Sequence, residues 1–476
     1  MERVQENLLE SPMDDSSSAS STPSIRCAAI CGTRARFVLM VLVLLCLASI
    51  WSNVLTFNFA IICIAPVGND TASNVDHYSF NNGEKTLITS IVALAALASY
   101  FPVLYIVNRA GIRTVFTLLG LFSAVGTLLL PTAIRGGLLW VLVARLLQGI
   151  GFAGNFPIIG AFCRLFVSVL VAYVQLSPAV TMSTSGALCT TLGWPSVFYA
   201  HGAACLLLFS LYAVLYRNSP HKHPLVGEVE RGKIAIGKAT AEKRQSIPYS
   251  AILRTPAVWA VWAGGVGNFM AVNLMFLYSP VYISGVLGLP TDKTGFSAAL
   301  PPIIQFAIKL ICGAISDRVK CVSELAKFRI FNSIAFCGCG ICFGILAFMP
   351  GEEGTLNLIL MNVGTGVLGA TTGGFFKSGP VISKQYSHFV TGKISVVICL
   401  TMLVVPFLVN VLTPENTQEE WKWIWLITAG FMFVTNLIFC VFIRGEPCEW
   451  TRTPFEDEDS SISSTSEKRS PSLNDI

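Results

Sequence analysis

Arg145 and Lys309 are basic residues inside runs of sequence that are otherwise apolar. A charge within a bilayer costs at least about 2.5–3.5 kcal/mol on insertion scales, so each is a functional candidate by default. No Asp or Glu occurs in the core of any such run. A guanidinium turned inward at Arg145 therefore lacks a protein counter-ion. An anionic substrate would supply one, through a bidentate contact with carboxylate or phosphate. The competing reading makes Arg145 a structural tie to backbone carbonyls. Lys309 precedes Asp317 by eight residues, about 12 Å along a helix. Its root is well inside a run, and its long stem either snorkels to an interface or meets substrate. Asn58 in the first run and Asn268 and Asn273 in the seventh offer neutral hydrogen-bonding groups. Tyr278 and Tyr282 read as an interfacial aromatic belt.

Other chemistries find less support. The five histidines, His77, His201, His221, His223 and His388, fall in loops or near run ends. With no carboxylate pair or nucleophile–base set inside the runs, the chain does not read as an enzyme. Cys337, Cys339 and Cys342 are clustered in an apolar run without a nearby His or carboxylate, and read as small hydrophobes rather than a metal site. Cys27 and Cys31 read as free thiols or acylation sites. No cofactor is expected. No basic stripe interleaved with aromatics points to nucleic acid.

The residues that position these groups must live in lipid. The chain has 476 residues, 53% hydrophobic and 12% charged, against about 25% charged in soluble domains. A membrane-crossing helix needs about 20 apolar residues. Twelve runs qualify, near 37–66, 86–107, 115–133, 138–162, 165–187, 197–216, 257–277, 294–315, 330–349, 356–375, 391–412 and 423–443. The expected fold is an all-α membrane protein of twelve transmembrane helices in two pseudo-symmetric six-helix bundles. The expected division is a disordered cytosolic tail 1–36, a first bundle 37–216, a cytosolic central loop 217–256, a second bundle 257–444 and a disordered cytosolic tail 445–476.

Loop charge orients the bundle. With both termini cytosolic, the outer loops hold only Lys85, Arg135, Lys293 and Lys422 of the 32 basic residues, and two more are inside runs. The sequon Asn69-Asp70-Thr71 falls in the first outer loop, so Asn69 is the expected glycosylation site.

Two loops repeat. Asn108-Arg109-Ala110-Gly111-Ile112-Arg113 follows the second run, and Gly313-Ala314-Ile315-Ser316-Asp317-Arg318 follows the eighth. They resemble the G-x-x-x-D-R loop of the major facilitator superfamily, degraded in the first copy. The expected role is gating: glycine permits close approach, and the charges latch the halves. Gly193-Trp194-Pro195-Ser196-Val197-Phe198-Tyr199, Arg145-Leu146-Leu147-Gln148-Gly149 and Ser219-Pro220-His221-Lys222-His223-Pro224 narrow the resemblance. Together they look like the anion/phosphate–cation symporter family, which includes sialin, sodium–phosphate cotransporters and vesicular glutamate transporters.

That resemblance implies the major facilitator fold and ion-coupled symport of organic anions or inorganic phosphate by alternating access. The expected partners are a small anionic substrate, a coupling proton or sodium ion, and the lipid bilayer. The membrane is the plasma membrane or an endolysosomal or vesicular one. The family's helix-4 Arg matches Arg145. Its Glu seven residues later falls on Phe152, and its helix-1 Arg falls on Thr56, with Asn58 kept. The alternative is a transport-inactive member acting as a sensor or partner scaffold. Residues 138–187 form almost unbroken apolar sequence with only Arg164 near the middle. Two antiparallel helices need a polar link there, so roughly ten residues are expected to be missing, with the turn drawn from 157–170.

Overall fold

A bilayer offers no water to backbone N–H and C=O groups, and a helix satisfies them internally. The computed structural model describes residues 35–64, 79–161, 169–217 and 248–451, and every regular element among them is helical. The first half comprises α1 (Ala35–Ile64), α2 (Asn82–Ala110), α3 (Ile112–Gly136), α4 (Leu138–Phe152), α5 (Asn155–Ala161), α6 (Tyr173–Leu192) and α7 (Trp194–Leu215). The second comprises the short α8 (Tyr249–Arg254), then α9 (Pro256–Gly285), α10 (Thr291–Arg318), α11 (Glu324–Leu346), α12 (Gly354–Val367), α13 (Phe375–Ser383), α14 (Ser387–Gly392), α15 (Ile394–Leu412) and α16 (Gln418–Phe442). Residues 40–216 and 244–476 form one compact unit; a second holds 1–39 and 217–243, of which only 35–39 and 217 are described.

Eleven stretches among the described residues are long and apolar enough to cross a membrane. The twelfth span is α6, 20 residues rich in Ser and Thr. It begins at Tyr173, eight residues beyond the expected start. The Arg164 link, the Asn69 sequon and nearly all of both tails and the central loop lie outside the described residues.

Within the first half, α3 packs against α4 and α7, and α2 against α4. Within the second, α11 packs against α12 and α16, and α9 against α15 and α16. The halves meet along two seams, α2 with α15 and α6 with α10. The fourth and tenth spans break at matching depth. α4 stops after 15 residues and resumes as α5, while α12 stops after 14 and reaches α13 through a 3-10 turn at Leu368–Thr372. The tenth span therefore runs past the expected 375. The glycine-rich run 369–374 accounts for its break, since glycine loses the most freedom in a helix.

Most span-to-span links in the first half are single residues. Gly111 (φ 80°) and Gly193 (φ 81°) take a backbone conformation that suits glycine, so α2 turns directly into α3 and α6 into α7. The ends of the bundle that carry Gly111 and Asp317 are termed the motif end, and the opposite ends the far end.

At the far end a disulfide joins Cys63 of α1 to Cys189 of α6, with Cα atoms 6.3 Å apart. At the motif end the residues after α16 pack down, although a tail was expected from 445. The Cys448 N–H donates to the Ile382 carbonyl at 3.0 Å, the Trp450 indole N–H to Thr255 Oγ1 at 3.0 Å, and Gln385 Nε2 to the Thr451 carbonyl at 3.0 Å. Cys448 and Thr451 are buried.

Candidate functional site

The two seams enclose a small central cavity. The first half contributes Trp51 from α1, Phe152 from the end of α4, and Tyr173 and Val174 from the start of α6. The second half contributes Phe269, Val272, Asn273 and Phe276 from α9, and Ile398 from α15. α9 is buried nearly all round, which places it at the heart of the bundle. The walls leave about 10 Å³, the room of a single water molecule.

Both ends of the seams are shut. At the far end, a Cβ on Gly186 of α6 would stand 3.0 Å from the Gly295 Cα of α10, and one on Gly295 would stand 2.7 Å from the Met182 carbonyl. Asn82 Nδ2 donates to the Pro414 carbonyl at 2.5 Å. Toward the motif end, Tyr100 Oη donates to the Gly392 carbonyl at 3.4 Å, and Lys393 Nζ lies 5.2 Å from the Phe101 ring centre.

Arg145 is fully buried within the first half. Its Nε donates to the Ile88 carbonyl at 3.1 Å, and its Nη1 to the Val54 carbonyl at 2.9 Å and to Gln148 Oε1 at 2.8 Å. Gln148 Nε2 passes the network on to the Asn53 carbonyl and Thr127 Oγ1, and Asn53 Nδ2 donates to Ser123 Oγ. The guanidinium stands over Phe57, 5.1 Å from the ring centre. Arg145 thus ties α1, α2 and α4 together, while its Nη2 has no partner among the described residues.

Trp51 and Phe152 separate this layer from the cavity. Their ring centroids are 4.9 Å apart. Trp51 is one turn of α1 before Val54, and Phe152 is one turn of α4 after Gln148, so the ring pair roofs the cavity and Arg145 lies behind it. Lys309 has a matching position in the second half. Its Nζ stands 5.1 Å from the Phe376 ring centre, and Phe376 packs edge-on against Phe269, centroids 6.2 Å apart. Each cation is one aromatic layer removed from the cavity.

Of the five residues expected to touch substrate, only Asn273 lines the cavity. Its Nδ2 donates to Thr401 Oγ1 at 3.0 Å. Asn58 is buried with both amide atoms unpartnered among the described residues, and Asn268 is buried with Oδ1 unpartnered. The aromatic lining was not singled out in the sequence, because inward and lipid-facing aromatics read alike there. Nor was His201: it sits inside α7, with Nδ1 2.9 Å from Ser52 Oγ and Nε2 3.1 Å from Thr184 Oγ1, and so clamps α7 to α1 and α6.

The gating motifs make contacts within their own halves. Asp317 pairs with Lys377 of α13 at 2.8 Å, and Lys377 also lies 3.8 Å from Glu324 of α11. Arg113 Nη2 and Nε donate to the Ala213 carbonyl of α7, and Arg109 lies over Tyr105 of its own helix. Arg318 is exposed, and the Asn108 side chain lies outside the described residues. Gly313 makes only an ordinary contact with Thr372; the close approach between the eighth and tenth spans falls at Gly369, where a Cβ would meet the Gln305 carbonyl at 2.4 Å. The closures between halves are carried by other residues, Tyr100, Lys393, Gly186 and Gly295.

A family model, Major Facilitator Superfamily, matches residues 27–392. Human sodium-dependent phosphate transport protein 1 is 26% identical over 398 residues, covering 79% of this chain and 83% of that protein. Human sialin is 25% identical over 361 residues, covering 73% and 72%. The solved structure of a D-xylose–proton symporter superposes with a TM-score of 0.63 at 12% identity, covering 86% of this chain and 98% of that one. Twelve spans in two halves around a shut central cavity, with the family match along most of the sequence, place this chain in the Major Facilitator Superfamily as a membrane transporter.

Proposed function

We propose that this protein moves a small anion, organic or inorganic phosphate, by alternating access coupled to a proton or sodium ion. The observation that carries this reading is a pair of cations in the span interiors with no carboxylate partner among the described residues. Arg145 and Lys309 are inside the bundle, and among the described spans Asp and Glu occur only in end turns. An anion in the cavity between them answers both charges, as a protein carboxylate would. Similarity to a phosphate transport protein and to sialin supports the same class.

The remaining assignments follow the loop charges. The motif end faces the cytosol with both termini, 37–216 and 257–444 are the two bundles, and Asn69 is on the outer side in a plasma, endolysosomal or vesicular membrane. Purified protein in liposomes tests the reading: a panel of labelled organic anions and phosphate, under imposed sodium and pH gradients, gives saturable uptake of at least one anion. Absence of uptake for every anion under every gradient removes it.

A further inference from the structure

The cavity walls are aromatic on both sides. Trp51, Phe152 and Tyr173 come from one half and Phe269 and Phe276 from the other. Among the described residues no charged side chain lines the cavity; each cation is held back by a ring pair, Arg145 by Trp51–Phe152 and Lys309 by Phe376–Phe269. Phe152 occupies the position where the family resemblance leads one to expect a carboxylate. One wall residue carries a buried donor without a partner among the described residues. Trp51 is 3% exposed, and its indole N–H has no partner among the described residues.

These observations discriminate between anions. Inorganic phosphate spreads its charge over every face and needs a hydrogen-bond donor at each oxygen once water is stripped away. Rings cannot repay that desolvation. An anion with a planar apolar body and one oxyanion group fits both features. Its ring stacks among aromatic walls, where offset and edge-on contacts are favourable, and its oxygen accepts from the unpartnered Trp51 indole N–H. The cations one layer behind supply long-range attraction without holding the substrate in a fixed ion pair, and this suits a ligand that must also leave.

We propose that the substrate is an aromatic organic anion, its ring held among Trp51, Phe152, Tyr173, Phe269 and Phe276 and its oxyanion accepting a hydrogen bond from Trp51 Nε1. This rests on the anion-transport reading and narrows it. The ring contacts form as the halves open and close again on the ligand, since the shut cavity holds only one water.

Proteoliposomes test it with three labelled probes, benzoate, acetate and inorganic phosphate. Wild-type protein takes up benzoate in preference to the other two. Trp51→Phe keeps a ring and removes the donor. It raises the half-saturation concentration for benzoate about tenfold, the value of one hydrogen bond to a charged group, with a near-normal maximal rate. Size-exclusion chromatography of the variant in detergent confirms that it is folded. Uptake of acetate or phosphate in preference to benzoate overturns the aromatic assignment and leaves anion transport standing. An unchanged half-saturation concentration in folded Trp51→Phe overturns the role of the indole. No uptake of any probe by wild-type protein overturns this proposal, and if the wider anion panel is also silent the transport reading falls with it.

Discussion

Gly186 of α6 and Gly295 of α10 face each other across the boundary between the halves, so close that the missing Cβ of either would collide with the other helix. Such contacts between small residues are how helices associate in lipid, where no hydrophobic driving force separates helix from solvent. The pair lies within one turn of Cys189, whose disulfide to Cys63 anchors α6 to α1. The far-end closure is thus made by one helix held covalently from behind and by backbone-to-backbone contact in front.

Replacing Gly186 with Val props this closure open. Uptake falls to a small fraction of wild type, and a cysteine introduced at Asn273 becomes reactive to a membrane-impermeant thiol reagent from the far side. Unchanged uptake with no new reactivity contradicts the gating role of the pair.

The Cys63–Cys189 bridge closes a 126-residue separation. Chain entropy alone sets an upper bound of about 5 kcal/mol on its contribution, less in a membrane, where the unfolded chain is already confined. Labelling of denatured protein with a polyethylene-glycol maleimide shows two more reactive thiols after reduction than before. Cys63→Ser with Cys189→Ser abolishes the difference and lowers the melting temperature in detergent.

Arg145→Ala removes the tie among α1, α2 and α4 and strands the acceptors at Val54, Ile88 and Gln148. The loss is on the order of 3 kcal/mol, read as a lower melting temperature, and uptake is abolished. Arg145→Lys recovers little of either, because one ammonium does not reproduce donors pointing in two directions. Wild-type uptake and stability in Arg145→Ala would falsify both roles.

At the motif end, Lys393 stands between Phe101 and Phe389, 5.2 and 5.1 Å from their ring centres. Cation–π contacts of this kind contribute about 0.5–1 kcal/mol at exposed sites. Lys393→Gln weakens the α2–α15 seam on this side alone. The introduced Asn273→Cys thiol then reacts faster from the motif side and at the wild-type rate from the far side. Equal acceleration from both sides would mean that Lys393 supports the bundle as a whole.

The orientation rests on loop charge and is checked at Asn69. A glycosidase-induced mobility shift is expected in the wild type and lost in Asn69→Gln. A tag in the 217–256 loop that antibodies reach from outside intact cells reverses the orientation.

Much of the fold was legible because lipid imposes a simple rule on sequence: apolar runs of spanning length become helices. The rule weakens where a helix turns polar side chains inward, as α6 does with Gln175, Ser177, Thr181 and Ser185. The start of α6 at Tyr173 was misplaced by the unbroken apolarity of 138–187. Breaks inside spans were illegible for another reason. Neither Phe152–Asn155 nor Gly369–Gly374 interrupts the hydropathy, yet each ends a helix. The cations were visible as exceptions in apolar sequence, but their surroundings were not. Trp51, Phe152 and Phe269 became a site only when the topology brought spans one, four and seven together. The Cys63–Cys189 bridge was equally hidden, since residues 126 apart carry no local sign of pairing.

The packing of residues 445–451 has a consequence for the order of synthesis. Thr255, at the entrance to α9, receives its hydrogen bond from Trp450, 195 residues later. At 5–20 residues per second, Thr255 is synthesised on the order of 10–40 s before its partner exists. The ring of contacts that closes the second half at the motif end is therefore completed only when translation has nearly finished. A nascent chain halted after Arg444 holds all twelve spans, but lacks the hydrogen bonds that Cys448 and Trp450 make to Ile382 and Thr255.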